Sequence, residues 1–227
     1  MPISKLENAG LSFRDYLGYF FPGSFLLLGI VIIRPQLLDI VSHEPAIYII
    51  MAMVGSYFGG FISHTMASAL IVPVVSKIKG SPQKELLRPK KPWVKKALGE
   101  AFRKQLIQSL QTYWGDQLIQ GRESDILFLC KRQIELIQPD ALVYANRCVS
   151  MYTLSRSFMI PCLFNAIVFI LIKNYAFALL FIVSFIILTR AHSIWMREHA
   201  KNVYRTWYAM IKNGWDNKIN AKCNGSL

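Results

Sequence analysis

Carboxylates are scarce in this sequence, and its long apolar stretches contain none. The chain holds 13 Asp and Glu against 26 Lys and Arg, a formal charge of +13. A small transporter is disfavoured, because no intramembrane carboxylate and no inverted repeat is found. Cysteine is equally thin. Cys130, Cys148, Cys162 and Cys223 are scattered without CxxC spacing, which suggests neither a disulfide framework nor a zinc site. They read as reduced thiols, mostly in cores or helix contacts. There is no GxSxG, no Walker-type glycine loop and no HExxH, so neither an enzyme nor a cofactor is expected. Alternation of apolar and polar residues over a strand's length is absent, and no internal repeat is found. A cleavable leader is not expected either: about fifteen residues of mixed charge precede the first apolar run, and no small-residue cleavage site follows it.

Apolar residues make up 53% of the chain, and they are clustered, not periodic. The longest cluster, Ala46 to Val75, runs thirty residues without a charge. As a helix it would measure roughly 45 Å, enough to cross a ~30 Å hydrocarbon core with tilt. Gly55, Ser56, Gly59, Gly60, Ser63 and Ala67 place small residues three or four apart, a spacing that lets helix backbones approach closely. This helix is expected to be the inner wall of an oligomer or a pathway.

A first span is expected at Gly18 to Ile33, entered through Tyr16, Tyr19, Phe20 and Phe21, an aromatic cluster suited to the headgroup region. Ser12 and Asp15 fit the start of a short interfacial helix. Two more spans, about 154–172 and 175–191, join at Lys173-Asn174, with Arg156 and Arg190 placed to snorkel at their ends. Pro161 and Asn165 hint at a bend and an interhelical hydrogen bond. The chain thus divides into residues 1–75 with two spans, a basic insert 76–153, a hairpin 154–191 and a basic tail 192–227.

Charge sets the topology. From Lys77 to Arg156 there are fifteen Lys and Arg against seven Asp and Glu, and the tail adds six against two. The two opposite connections hold only Arg34 and Lys173. Basic loops stay cytoplasmic, so both termini and the insert should face the cytoplasm of a bacterial inner membrane. The fold expected is all-α: an integral membrane protein with four transmembrane helices and a cytoplasmic helical insert between spans 2 and 3.

Within the insert, SKIKGSPQKELLRPKKP reads as a proline-punctuated linker over 76–92. Helices follow at 93–120, with the stripe Phe102, Leu106, Leu110, Tyr113 and Trp114, and at 123–138, with Ile126, Leu127, Leu129, Cys130, Ile134 and Ile137. Pro139-Asp140 opens a third, on which Ala141, Ala145, Cys148 and Tyr152 share a face and which runs into the third span. In the tail, Met196, Ala200, Val203, Trp207 and Met210/Ile211 recur at helical spacing, so the fourth span should continue as an amphipathic extension. About sixty residues of insert are marginal alone, so packing against the tail and neighbouring subunits is expected.

Two groups of residues stand out for function. Gly55, Gly59, Gly60, Ser63, His64 and Ser68 are candidates for a pore or helix interface. His64 either lines a pore and titrates near neutral pH, or simply hydrogen-bonds a neighbouring helix. Lys84, Arg88, Lys90, Lys91, Trp93, Lys95 and Lys96, extended by Arg103 and Lys104, form a basic run suited to anionic lipid or to an oligonucleotide held by phosphates and a stacking ring. His192 and His199, seven apart, suit a metal edge or equally a solvated basic helix end.

DYLGYFFPGSFLL at 15–27, LSRS at 154–157 and REHAKNVYRTWYAM at 197–210 sit in an order of two spans, basic insert, two spans and basic aromatic helix. In these the chain resembles the small four-span membrane proteins of bacterial anti-phage defence operons. The nearest likeness is to the membrane subunit of the Kiwa system, then to the membrane effector of Hailong-type systems. The first resemblance implies a homo-oligomer, a tetramer by preference, working with a cytoplasmic DNA-binding partner. The second implies an oligomeric channel controlled by DNA oligomers. No functional residue is carried over by motif. The expected role is a defence component that senses membrane disturbance or a ligand and signals to a partner or opens a conductive path, with a plain scaffold as the rival.

Overall fold

The computed structural model describes residues 16–37, 45–80, 82–87, 98–115 and 123–214. Of these, 93% are helical and none is in a strand. Helix α1 is Phe21–Ile33 and α2 is Pro45–Met66. Helix α3 is Val72–Lys79, α4 is Pro82–Leu87, α5 is Glu100–Trp114 and α6 is Glu123–Ile137. Two long helices finish the chain: α7, Val143–Leu171, and α8, Tyr175–Lys212. Ser12 to Asp15, most of the polar link after α1, the run 88–97 and Cys223 lie outside the described residues.

Prolines explain the irregular turns. Wide, five-residue helical turns at Tyr16–Phe20 and Ala67–Ile71 lead directly into α1 and α3. Each of those helices has proline at its second position, Pro22 and Pro73. Proline brings no N–H to the carbonyl four residues back, so the turn before it widens. After Ala67 the Val72 amide reaches back to the Ala67 carbonyl, five residues away. Pro161 is accommodated inside α7. The α7–α8 turn is closed by Lys173 at φ +59°, with the Asn174 amide donating to the Phe169 carbonyl at 2.8 Å.

The chain forms two compact units. The first comprises Met1–Val75 and Ser150–Ser193, and the second Ser76–Val149 and Ile194–Leu227. The tail therefore belongs with the insert and does not stand apart from it. Among the described residues three helical stretches are long and apolar enough to cross a membrane: Tyr48–Ile78, Pro139–Leu171 and Tyr175–Lys212. Gly18–Ile33 is apolar but shorter, so length alone counts three spans where four are expected.

In the first unit α7 lies at the centre. Its most apolar window is 44% buried, against 17% for Tyr48–Ile78 and 11% for α8. Phe25 of α1 meets Phe158 of α7 edge-on, and Phe177 and Phe181 of α8 stack on Phe169. The outer faces carry Ile49, Met51 and Phe58 on α2, Leu70 in the wide turn after it, and Leu179, Leu180, Ile186 and Ile187 on α8, all exposed. So large an apolar surface is not sustainable in water and matches lipid.

The second unit is built the other way round. Leu106, Leu110, Ile126, Cys130, Ile134, Val203 and Tyr204 are fully buried in one apolar core. Leu86 and Leu87 of α4 also enter that core, so part of the expected linker is a packed helix. Trp207 stacks on Trp114 with ring centres 5.0 Å apart, and its indole N–H donates to Gln133 Oε1 at 2.6 Å. The tail face read from sequence is the one that packs on the insert: Ala200, Val203, Trp207 and Met210 are all buried. Burial also pushes the Cys130 thiol well above its ordinary range, as befits a core residue.

Two adjacent glycines should behave differently. A Cβ on Gly60 would lie 2.7 Å from Tyr19 Cα and closer to its carbonyl, whereas one on Gly59 would meet Leu26 Cδ2 at an ordinary 3.4 Å. Gly60→Ala should therefore destabilise the protein by about 1–3 kcal/mol, the usual range for forced overpacking. Gly59→Ala should be close to neutral. Thermal unfolding in detergent, followed by fluorescence-detected size exclusion, checks the pair.

Candidate functional site

The glycine face of α2 is occupied by α1 of the same chain. Gly23 and Gly60 face each other so closely that a Cβ on Gly23 would lie 2.7 Å from the Gly60 nitrogen. The Ser24 and Ser56 hydroxyls lie 3.1 Å apart across this contact. A Cβ on Gly55 would touch Leu27 at an ordinary 3.6 Å. Ser63, fully buried, donates to the Gly59 carbonyl at 2.7 Å, and Ser68 donates to the His64 carbonyl at 2.7 Å. Close backbone approach is thus found where the small residues foretell it, and it is made within one chain.

His64 sits at the end of the glycine face, held between α2 and α7. Its Nε2 lies 2.6 Å from an Arg156 guanidinium nitrogen and its Nδ1 2.9 Å from Ser157 Oγ. A guanidinium only donates, so Nε2 accepts and Nδ1 carries the proton to Ser157. Ser157 in turn donates to the Thr153 carbonyl at 3.0 Å. Tyr19 of the turn before α1 lies edge-on to the imidazole, with ring centres 5.4 Å apart. His64 therefore ties three elements together, with a hydrogen bond to a neighbouring helix among its contacts. Arg156, placed at a helix end to snorkel, instead points its guanidinium at this histidine.

A second tie lies deeper in the same unit. Asn165 Nδ2 donates to the Phe25 carbonyl of α1 and to the Pro161 carbonyl of its own helix, both at 2.9 Å. This is the interhelical bond expected from the sequence. Gly29 leaves room for it, since a Cβ there would lie 2.8 Å from Phe164 Cε1 and closer to Asn165. Asn165 is completely buried, so its amide is used as glue between helices and not as a solvent-facing site.

Neither expectation for the histidine pair of α8 describes it. His192 and His199 are 2% and 8% exposed, which removes both a metal edge and a solvated end. In the first unit His192 Nδ1 lies 3.1 Å from the Tyr152 carbonyl. In the second, His199 Nδ1 lies 3.0 Å from the Ala145 carbonyl. Among the described residues no group of His, Cys, Asp or Glu could hold a metal ion.

Of the basic run, Arg88, Lys90, Lys91, Trp93, Lys95 and Lys96 lie outside the described residues, and Lys84 is on α4. Arg103 and Lys104 are on α5, where Lys104 is exposed. The structure therefore gathers one candidate group, the α2 face with His64, and extends it with Tyr19, Gly23, Ser24, Arg156, Ser157 and Asn165. Sequence reading assigned those residues to separate spans; Gly23 after Pro22 and the serines of LSRS were the available signals.

The fold and these contacts define a class: an all-helical chain whose apolar helices suggest membrane association, with a first unit polar inside and apolar outside. Compared with known protein families, with curated proteins and with solved structures, the chain matches none.

The His64 tie is open to a coupling test. His64→Leu strips Arg156 and Ser157 of a shared partner and should lower stability by about 1–3 kcal/mol. His64→Leu combined with Arg156→Leu should lose clearly less than the sum of the two single variants, as residues in one network do. Chemical or thermal unfolding of the detergent-solubilised proteins measures the cycle. Strict additivity would show that the two side chains do not act together.

Proposed function

We propose that this chain is a four-span protein of the bacterial inner membrane, and that its basic helical unit is the cytoplasmic relay of a homo-oligomeric anti-phage defence component. The single observation that carries the reading is the opposite build of the two units. One is apolar outside and joined inside by Ser24–Ser56, His64–Arg156 and Asn165–Phe25, as a lipid-embedded bundle is. The other has a closed apolar core, as a water-facing domain has. Gly18–Ile33 completes four spans: it is short, but it packs by backbone contact onto α2, and short spans are met by local thinning of the bilayer.

Basic residues orient the protein, with both termini and the second unit on the cytoplasmic side. Helices α7 and α8 contribute residues to both units, so movement in the bilayer has a covalent, helical route into the relay. The partner is a cytoplasmic protein of the same system, and nucleic acid is reached through that partner or through the basic run Lys84 to Lys96. The resemblance favours a tetramer. Signalling is preferred to conduction, because within one subunit His64, Arg156, Ser157 and Asn165 are engaged in contacts between or within the helices. A conductive path would have to form between copies.

Reporter fusions at residue 40, at residue 120 and at the C terminus test the topology. The reading requires a periplasmic signal at 40 and cytoplasmic signals at the other two; a periplasmic signal at 120 overturns it. The basic run has its own test. Changing Lys90, Lys91, Lys95 and Lys96 to Gln should weaken binding of an oligonucleotide or anionic partner, and the loss should shrink as salt rises, because phosphate contacts act by counterion release. Unchanged binding at low salt would return the run to lipid attraction.

A further inference from the structure

We propose that α4 is a strap, held on the second unit by Leu86 and Leu87, loosened by the buried Glu85 carboxylate unless a cation offsets it, and able to lift as a whole about Gly80. In this short helix Glu85, Leu86 and Leu87 are 6%, 1% and 2% exposed. Both leucines enter the core that α5 and α6 supply. The carboxylate is buried beside them, and its Oε2 makes no hydrogen bond. Arg197 of α8 is the cation coupled to it: burial holds the guanidinium below its ordinary range, while the charges of Glu85 and Glu198 raise it.

Gly80 supplies the hinge. It ends α3 at φ +84°, with its amide donating to the Ser76 carbonyl at 2.9 Å. That conformation favours glycine, and the space demands it: a Cβ would lie 3.0 Å from Glu85 Cγ and closer to the carboxylate. Pro82 begins the helix and Pro89 follows it in sequence, and each proline favours a helix boundary. The result is a short element held by two opposed tendencies. The leucines draw it into the core, while a buried carboxylate favours release unless a cation stays beside it. An element so balanced opens by itself, without unfolding of α5, α6 or α8. In the relay reading above, α4 is the part that a displacement of α2 and α3 would move; that clause rests on the relay reading, and the latch does not.

Hydrogen exchange, read by mass spectrometry on the full-length protein in lipid nanodiscs, tests the latch. In the unchanged protein residues 80–87 should exchange before α5 and α6. Arg197→Met leaves the carboxylate without its cation and should speed exchange at 80–87 by at least about tenfold, with α5 and α6 unchanged. Glu85→Met should slow it, because the opposing charge is gone. The double variant should follow Glu85→Met, since no buried carboxylate remains. Simple damage to packing would make the double variant the fastest of all. The proposal is overturned if 80–87 exchanges together with α5 and α6, if Arg197→Met changes nothing, or if the double variant is faster than Arg197→Met. Should Arg197→Met fail to fold, Glu85→Met alone decides: slower exchange supports the latch, and equal or faster exchange overturns it. No stimulus or partner enters these measurements, so failure of the strap leaves the relay reading standing, and a relay that fails in stimulated cells leaves the strap.

Discussion

The backbone contact between Gly23 and Gly60 is the constraint on which the first unit depends. Lipid offers no hydrophobic drive for one apolar helix to bind another, so packing and polar contacts must hold the helices together. Removing two Cβ atoms lets α1 and α2 touch backbone to backbone, and that proximity brings Ser24 to Ser56. It also sets Tyr19 against His64, which then reaches α7 through Arg156 and Ser157. Asn165 fixes α7 to α1 from the other end. Each polar contact is short-ranged: Ser24–Ser56 and Tyr19–His64 lie beside the Gly23–Gly60 approach, and Asn165 has its room from Gly29.

The second unit obeys the opposite solvent. Its helices carry single apolar stripes, and each stripe is too narrow to be stable alone. Phe102, Leu106 and Leu110 of α5, Ile126, Cys130 and Ile134 of α6 and the α8 face from Ala200 to Met210 become one core only when all three helices are present. This explains why the tail and the insert, separated in sequence by the apolar α7–α8 hairpin, form one unit. Trp207 is central to that closure, since it stacks on Trp114 and hydrogen-bonds Gln133 at once.

Much of this was legible from residue order. The tail stripe from Met196 to Ile211, the entry of the Pro139 helix into an apolar helix and the bond of Asn165 all followed from helical spacing and polarity. The limits have physical causes. Small residues on α2 announce close approach, yet their spacing is the same whether the visitor is α1 or a second copy. A histidine's identity says nothing of a carbonyl on another helix, and so the burial of His192 and His199 was missed. The stretch around Glu85-Leu86-Leu87 is bounded by prolines and dense in lysine, which masks two core leucines within a segment too short to show a period.

The two units should meet different solvents. Spin labels placed singly at Ile182 and Ile186 of α8, and at Phe128 and Arg205 of the second unit, measure this directly when their collision rates with oxygen and with a water-soluble nickel complex are compared in a reconstituted bilayer. All four positions are exposed on their own unit. The account predicts that Ile182 and Ile186 favour oxygen, as lipid-immersed sites do, and that Phe128 and Arg205 favour nickel. Equal nickel access at all four positions would contradict it.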